Sequence, residues 1–263
     1  IRLSLVGSEM CIRDRIDAMT DAPPSPGQDA LRVASWNIHK GIGSDRKRDL
    51  LRTTAVIAEI APDLMTLQEA DQRFGTRAGL LDLDHLHAET GLRPLPIGLG
   101  GPSHGWHGNV ILFRDAEVID HHRLSLPGLE PRGALITDLD LGHGRLRVVA
   151  AHLALLRRFR RAQARAILDL LEQLPPLPTL LMGDLNEWKT GPRTPLADLA
   201  GHFVLPDPVP SFPTRRPFLP LDRMMATSEG RLSDLRAHDT PLARRASDHL
   251  PLTAHLHLPG RRE

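Results

Sequence analysis

Apolar residues along the chain fall into short runs divided by Gly, Pro and charged clusters, and the runs switch between two periods. Leu31 to Ile38 reads as a buried strand, and Leu64 to Gln68, entered through Pro62, as a second. Between them Asp45 to Ile60 repeats at helical spacing and predicts an amphipathic helix. Ala78 to Thr90 predicts another helix, ended by Gly91, since a residue without Cβ suits the left-handed backbone at a helix terminus. Four strands are expected at Asn109 to Phe113, Ala116 to Arg123, Gly133 to Leu139 and Leu146 to Leu153. Arg157 to Leu174 is the longest helical pattern and stops at Pro175-Pro176. Strands at Thr179 to Met182, around Leu221 to Met224 and at Leu250 to Leu258 complete the series. Trp188 to Pro220, rich in Pro and Gly, predicts surface loop. Such a mixture of βα units and consecutive strands predicts an α/β protein with two sheets and helices outside, as one domain from about Leu31 to Leu258.

The ends read differently. Met10 to Arg15 spell MCIRDR, the translation of ATG TGT ATA AGA GAC AGR, and Ser4 to Glu9 continue the same reading frame of a transposon sequencing adapter. Residues 1–15 are therefore expected to be translated adapter and are set aside from fold reasoning. Residues 16–30, with Asp21-Ala-Pro-Pro-Ser-Pro-Gly, are expected to form a disordered leader, and 259–263 a tail.

Composition sharpens this picture in two places. Cys11 is the chain's single cysteine and lies in the adapter segment, so disulfides, zinc–thiolate sites and cysteine nucleophiles are not expected. Removing Arg2, Arg13 and Arg15 from 33 basic residues, and Glu9 and Asp14 from 32 acidic ones, leaves 30 of each. A chain without net charge carries no global field to draw nucleic acid or an anionic surface. No apolar run approaches the roughly 18 residues that span a bilayer, and a cytoplasmic monomer is expected.

Candidate chemistry collects at strand ends. Asn37 follows the first strand in Ser35-Trp36-Asn37-Ile38-His39-Lys40-Gly41, and Glu69 follows the second in Leu67-Gln68-Glu69. His152 ends the run Arg147-Val-Val-Ala-Ala-His152. Asp184 and Asn186, two apart in Gly183-Asp184-Leu185-Asn186, face one side if extended. Ser247-Asp248-His249 precedes the last strand, and Asp222 offers a carboxylate that could orient an imidazole. Oxygen-rich strand ends suit a hard divalent cation, which needs few protein ligands. Singly, each residue is equally well a turn or capping residue.

In order, WNIHKG, LQEAD, HGNVILFR, EPRGALIT, AHLAL, GDLNEW, SFPT, LDRMM and SDHLPL resemble the endonuclease/exonuclease/phosphatase superfamily. The likeness spans Trp36 to Leu252 and leans toward the deoxyribonuclease I-like and neutral sphingomyelinase-like branches, with small bacterial members nearest. It implies a four-layer α/β sandwich with the site at one edge of two packed mixed sheets. It implies Mg²⁺, with Mn²⁺ or Ca²⁺ as alternatives, on Asn37, Glu69 and Asp248. Asp184, Asn186, Asp222, His249 and His152 would carry catalysis, with Asn109 supporting the site from behind.

The activity implied is metal-dependent hydrolysis of a phosphodiester or phosphomonoester in nucleic acid, a phospholipid headgroup or a small molecule. The alternative is an inactive member that binds a phosphorylated ligand. The run Arg157 to Arg161 is expected to be a solvated basic face, and Trp106 is placed over the cleft.

Overall fold

A computed structural model describes residues 30–73, 75–98 and 101–259; the expected adapter, most of the leader and nearly all of the tail lie outside these. Among the described residues eleven strands run in chain order: β1 (Ala30–Asn37), β2 (Leu64–Gln68), β3 (Arg93–Pro94), β4 (Val110–Phe113), β5 (Glu117–Ser125), β6 (Gly133–Asp140), β7 (Arg145–His152), β8 (Thr179–Asp184), β9 (Asp222–Ala226), β10 (Arg231–Ala237) and β11 (Leu252–His257). Four helices accompany them: α1 (Leu50–Ile60), α2 (Leu83–Thr90), α3 (Arg157–Leu171) and α4 (Pro241–Ala246). The strands form two mixed sheets, ordered β10-β11-β1-β2-β4-β3 and β5-β6-β7-β8-β9.

Three apolar clusters define the layers. Val33, Leu64, Ile111, Leu135, Val148, Leu180 and Met224 pack between the sheets. Trp36, Met65 and Leu67 on the outer face of the first sheet pack against Val56 and Ile57 of α1, Leu86 of α2 and Ala243 of α4. Val149, Ala151 and Leu181 on the outer face of the second pack against Ala164, Ile167 and Leu168 of α3. The result is the four-layer sandwich, helix–sheet–sheet–helix, in which the central strands of each sheet are buried on both faces.

Side chains alternate across a strand, so residues two apart share a face. On β1 the row that faces the other sheet is Val33, Ser35, Asn37; on β2 it is Leu64, Thr66, Gln68. The facing rows are Val148, Ala150, His152 on β7, Leu180, Met182, Asp184 on β8 and Ala226, Met224, Asp222 on β9. Every row is apolar at one end and polar at the other. Thr66 Oγ1 donates to Ser35 Oγ (3.0 Å), and Gln68 Nε2 to the same oxygen (3.3 Å), so the polar end is hydrogen-bonded rather than merely tolerated.

Two helices begin later than the sequence pattern predicts. Asp49 caps α1 by accepting from Arg52 N (2.9 Å), and Asp82 caps α2 by accepting from His85 N (3.0 Å). Asp45, expected inside the first helix, instead pairs with the Arg52 guanidinium (2.7 Å) from the preceding loop. The pattern overlooks β3, β10 and α4, which are short or half exposed and carry little periodic signal. The region 188–220 is loop apart from a short 3₁₀ turn at Ala197–Gly201.

Beneath the end of α3, Arg147 and Asp138 form a buried two-pronged pair (Nε–Oδ1 and Nη2–Oδ2, both 2.7 Å). Asp138→Ala strands the Arg147 charge in the interior, which costs about 3–5 kcal/mol. Urea denaturation is expected to report that loss, while the polar ends of the inward-facing rows are left intact.

Candidate active site

His152, Asp184 and Asp222 are cross-strand neighbours: His152 pairs with Asp184 between β7 and β8, and Asp184 with Asp222 between β8 and β9. Asn37, ending β1 on the facing sheet, donates its amide to Asp184 Oδ2 (2.9 Å). His249 comes from the turn between α4 and β11. Trp36 Nε1 donates to the His249 carbonyl (2.8 Å), Ser247 Oγ to the Asn37 carbonyl (2.7 Å), and the His249 N–H to Ser247 Oγ (3.2 Å). These bonds hold the imidazole over the second sheet, where Nδ1 meets Asp222 Oδ2 at 2.8 Å and Nε2 lies 3.9 Å from Asp184 Oδ2. Ser211 Oγ donates to the same Asp222 oxygen, and the Phe212 ring packs on the imidazole at 4.8 Å between centroids.

The charges follow from these contacts. Burial alone would depress the His249 pKa, but the adjoining Asp222 carboxylate, with Asp184 and Asp248 behind it, outweighs that and holds it up at about 10. His249 is thus an imidazolium at neutral pH. Burial raises the Asp184 pKa, against the pull of His249 and with the repulsion of Asp222. Burial and the Arg132 charge hold His152 well below its usual value, so it is neutral. Arg132 Nη1 lies 2.6 Å from His152 Nε2, and because a guanidinium only donates, that nitrogen is the acceptor. The 3.4 Å approach of His152 Nε2 to Asp184 is therefore proximity and not an ion pair.

A cleft opens beside this group, lined by Lys40, Glu69, Asp71, Arg73, Arg77, His107, Pro131, Arg132 and His152. Four cations face two carboxylates, which draws an anion in. Arg132 is held in a fork by Glu130 Oε2 (Nη2 2.7 Å, Nε 3.1 Å), and Arg77 by Asp71 (2.9 Å). Lys40 is ion-paired to Glu69. Although Glu69 is largely buried, the Lys40 ammonium lowers its pKa and keeps it a carboxylate. Asp248 is more open, with its carboxylate 3.6 Å from His39 Nδ1.

Among the described residues, nine non-glycine positions have positive φ, and six of them surround this site: His39, Lys40, Glu69, Arg77, His107 and Asn186. Left-handed backbone at such residues costs about 1–3 kcal/mol each and gathers where function requires it.

Two sets of side chains carry the kind of donors a divalent cation takes. Glu69, Asn37 and Asp248 offer oxygens, and the fold already sets a positive group, the Lys40 ammonium, against Glu69. Asp184, Asp222 and His249 also bring potential ligand atoms within 4.8 Å of one another. In that trio Asp222 and Asp184 also favour the protonated form of His249.

Two expected residues stand behind the cleft. Asn109 ties neighbouring backbone through Gly133 O (2.9 Å) and Trp106 O (3.1 Å). Asn186 gives its backbone N–H to Asp184 Oδ1 (3.0 Å) and its amide to Leu153 O (3.0 Å). Trp106 is not over the cleft: its indole donates to Leu124 O (3.2 Å), its ring lies under Arg123, and it packs against the inter-sheet core. Arg160 departs from the expected solvated face, being buried against Glu187 (3.1 Å). Arg132, Lys40, Arg73, Arg77 and Ser211 join the site without having been singled out. WNIHKG, EPRGALIT and SFPT contained Lys40, Arg132 and Ser211, but pairing across loops gave no spacing to read.

The geometry has counterparts. Residues 34–249 match the model of the Endonuclease/Exonuclease/phosphatase family. The uncharacterized protein YbhP of Escherichia coli (strain K12) is 27% identical over 260 residues, covering 90% of this chain and all of YbhP. The crystal structure of an endonuclease/exonuclease/phosphatase from Beutenbergia cavernae DSM 12333 superposes with a TM-score of 0.63 at 25% identity, over 88% of this chain and 72% of that one. The mannosyl-6-phosphatase Bt3783 of Bacteroides thetaiotaomicron VPI-5482 shares the fold, with a TM-score of 0.69 at 16% identity over 86% and 99% of the two chains. With this match along most of its length, the chain belongs to the endonuclease/exonuclease/phosphatase family.

Proposed function

We propose that this protein hydrolyses a phosphoester, a phosphodiester or a phosphomonoester, with the help of a divalent cation. The observation that carries the reading is the imidazolium–carboxylate chain Asp222–His249–Asp184 standing beside a cleft of four cations and Glu69. Mg²⁺, or alternatively Mn²⁺ or Ca²⁺, held by Glu69 with Asn37 and Asp248, would neutralise charge on the phosphoryl group.

The chain's own residues supply the rest. Asp184, whose carboxyl burial raises toward neutrality, accepts the proton of the attacking water. The Asn37 amide and the Asn186 backbone N–H fix the direction of that carboxylate. His249, already cationic, presents Nε2–H to a phosphoryl oxygen, and Asp222 keeps it charged and aimed. His152 is neutral and holds the Arg132 fork, so Arg132 meets the phosphate while His152 positions it. Of the two imidazoles, His249 is the donor. An inactive binding module would not need an acid, an imidazolium and a guanidinium converging in one buried place.

The test is a panel of DNA, abasic DNA, RNA, sphingomyelin, phosphoinositides and a chromogenic phosphodiester, each with Mg²⁺, Mn²⁺ or Ca²⁺. Turnover of at least one substrate is expected, together with its loss on chelation. Glu69→Gln, Asp184→Asn and His249→Asn should each lower that turnover by about 10²–10⁴. Unchanged turnover in all three sinks the reading.

Arg132→Gln is expected to lower kcat/KM about 10²-fold and to raise the His152 pKa, because a positive neighbour is removed. Imidazole titration by NMR reads the second effect independently of catalysis. Lys40→Met should tighten Mg²⁺ binding about fivefold or more in calorimetry, since a competing unit charge is worth on the order of 1 kcal/mol even in a wet site. Weaker binding would mean that Lys40 supports the cation instead of competing with it.

A further inference from the structure

The register that lines up His152, Asp184 and Asp222 puts four loops at the same edge of the second sheet. They are residues 126–132 before β6, 153–156 after β7, 185–196 after β8 and 211–221 before β9. Nine large apolar side chains are exposed among the described residues, and five of them sit on these four loops. Leu129 is 77% exposed, Leu155 63%, Leu156 48%, Trp188 47% and Phe218 63%. Scattered single hydrophobes are ordinary on a protein surface, but a concentration around one functional edge is not.

The charges of these loops are one-sided. Their acids are Glu130 and Glu187 alone; Glu187 is buried against Arg160, and Glu130 is held by Arg132. Lys189, Arg193, Arg215 and Arg216 are exposed on the same loops, with Arg157 and Arg158 beginning α3 beside them. The start of α3 also breaks local rules. Leu156 occupies the capping position with no side-chain bond, and the first turn holds arginines and no acid. A capping Ser or Asp and an acidic first turn would stabilise the helix; an exposed Leu and two cations at its positive end do not. Residues that cost local stability without serving the core belong to a surface with another task.

We infer that this rim docks the mouth of the site onto an anionic phospholipid bilayer, so that the phosphoester it takes is a lipid headgroup. Aliphatic side chains gain free energy by entering the acyl boundary, Trp188 suits the interfacial belt, and the arginines and lysine meet anionic headgroups. A nucleic acid offers Leu129, Leu155 and Leu156 no comparable apolar surface, and stacking on bases calls for aromatic rings. Docking does not depend on the proposed catalysis; the headgroup as substrate rests on the hydrolase reading.

Sedimentation of the full chain with vesicles tests the docking. Vesicles of phosphatidylglycerol and phosphatidylcholine are expected to carry the protein down, and phosphatidylcholine vesicles to carry down several-fold less. The triple variant L129S/L155S/L156S should lose at least about tenfold in partitioning, given the apolar area withdrawn, while cleaving a soluble chromogenic phosphodiester as the parent does. Hydrolysis of vesicle lipid should fall with it. R157Q/R158Q should weaken binding at low salt only. Equal sedimentation of parent and triple variant, or no sedimentation at all, overturns the proposal. So does tighter binding of DNA than of vesicles, with the DNA affinity lost in the triple variant. Vesicle binding without cleavage of either lipid or soluble diester supports the docking surface and overturns the hydrolase reading instead.

Discussion

His249 reaches from one sheet to the other, and its 2.8 Å bond to Asp222 sets a charge balance that the site depends on. Two carboxylates, Asp184 and Asp222, are buried side by side on adjacent strands, an arrangement that without a cation would push protons onto them. The imidazolium provides that cation from within the protein. It is charged because Asp222 is there, and Asp184 is partly relieved of Asp222's repulsion because His249 is charged. The packing of the two sheets and the protonation of the site are thus one problem with one solution.

That balance persists because the backbone around it is over-determined. Trp36, buried in the outer layer, fastens the His249 carbonyl, and Ser247 links the same turn to the end of β1. His39 and Lys40 continue β1 in left-handed backbone and turn Lys40 toward Glu69, itself left-handed at the end of β2. Such conformations are unfavourable one by one, and the packed sheets on either side hold them. The strain sits where rows of inward-facing residues change from apolar to polar. A rigid core therefore ends, within one or two residues of each strand, in a polar site.

The same edge has a second character outside the cleft. Basic and aliphatic residues stand together on its loops, and the weakly capped start of α3 contributes both. Inside, arginines are paired: Arg132 with Glu130, Arg77 with Asp71, Arg160 with Glu187. Outside, the loops have no exposed acids to pair with. A formal charge near zero over the chain hides this separation, because an average over sequence cannot distinguish a buried pair from a one-sided surface.

Much of the fold was legible because period and punctuation are local properties. The β2 bounds, β1 to within one residue at each end, the C-terminal end of α2, and the Pro-rich loop after Trp188 follow from alternation, glycine and proline positions that the neighbouring residues decide. The start of α1 was misread because an Asp cap and an Asp four residues earlier look alike until Arg52 selects the latter as its partner. Glu69, Asp184 and His249 stood out as polar residues at the ends of apolar runs. What only the tertiary structure decided is their relation: that Asn37 bonds Asp184 across the sheets, that Arg132 makes His152 an acceptor, and that Lys40 lies on Glu69. Sequence determines which residues end a strand, since that depends on the few residues on either side. Distances and proton positions depend on residues separated by 20 to 147 positions in these pairs, brought together by the packing of two sheets.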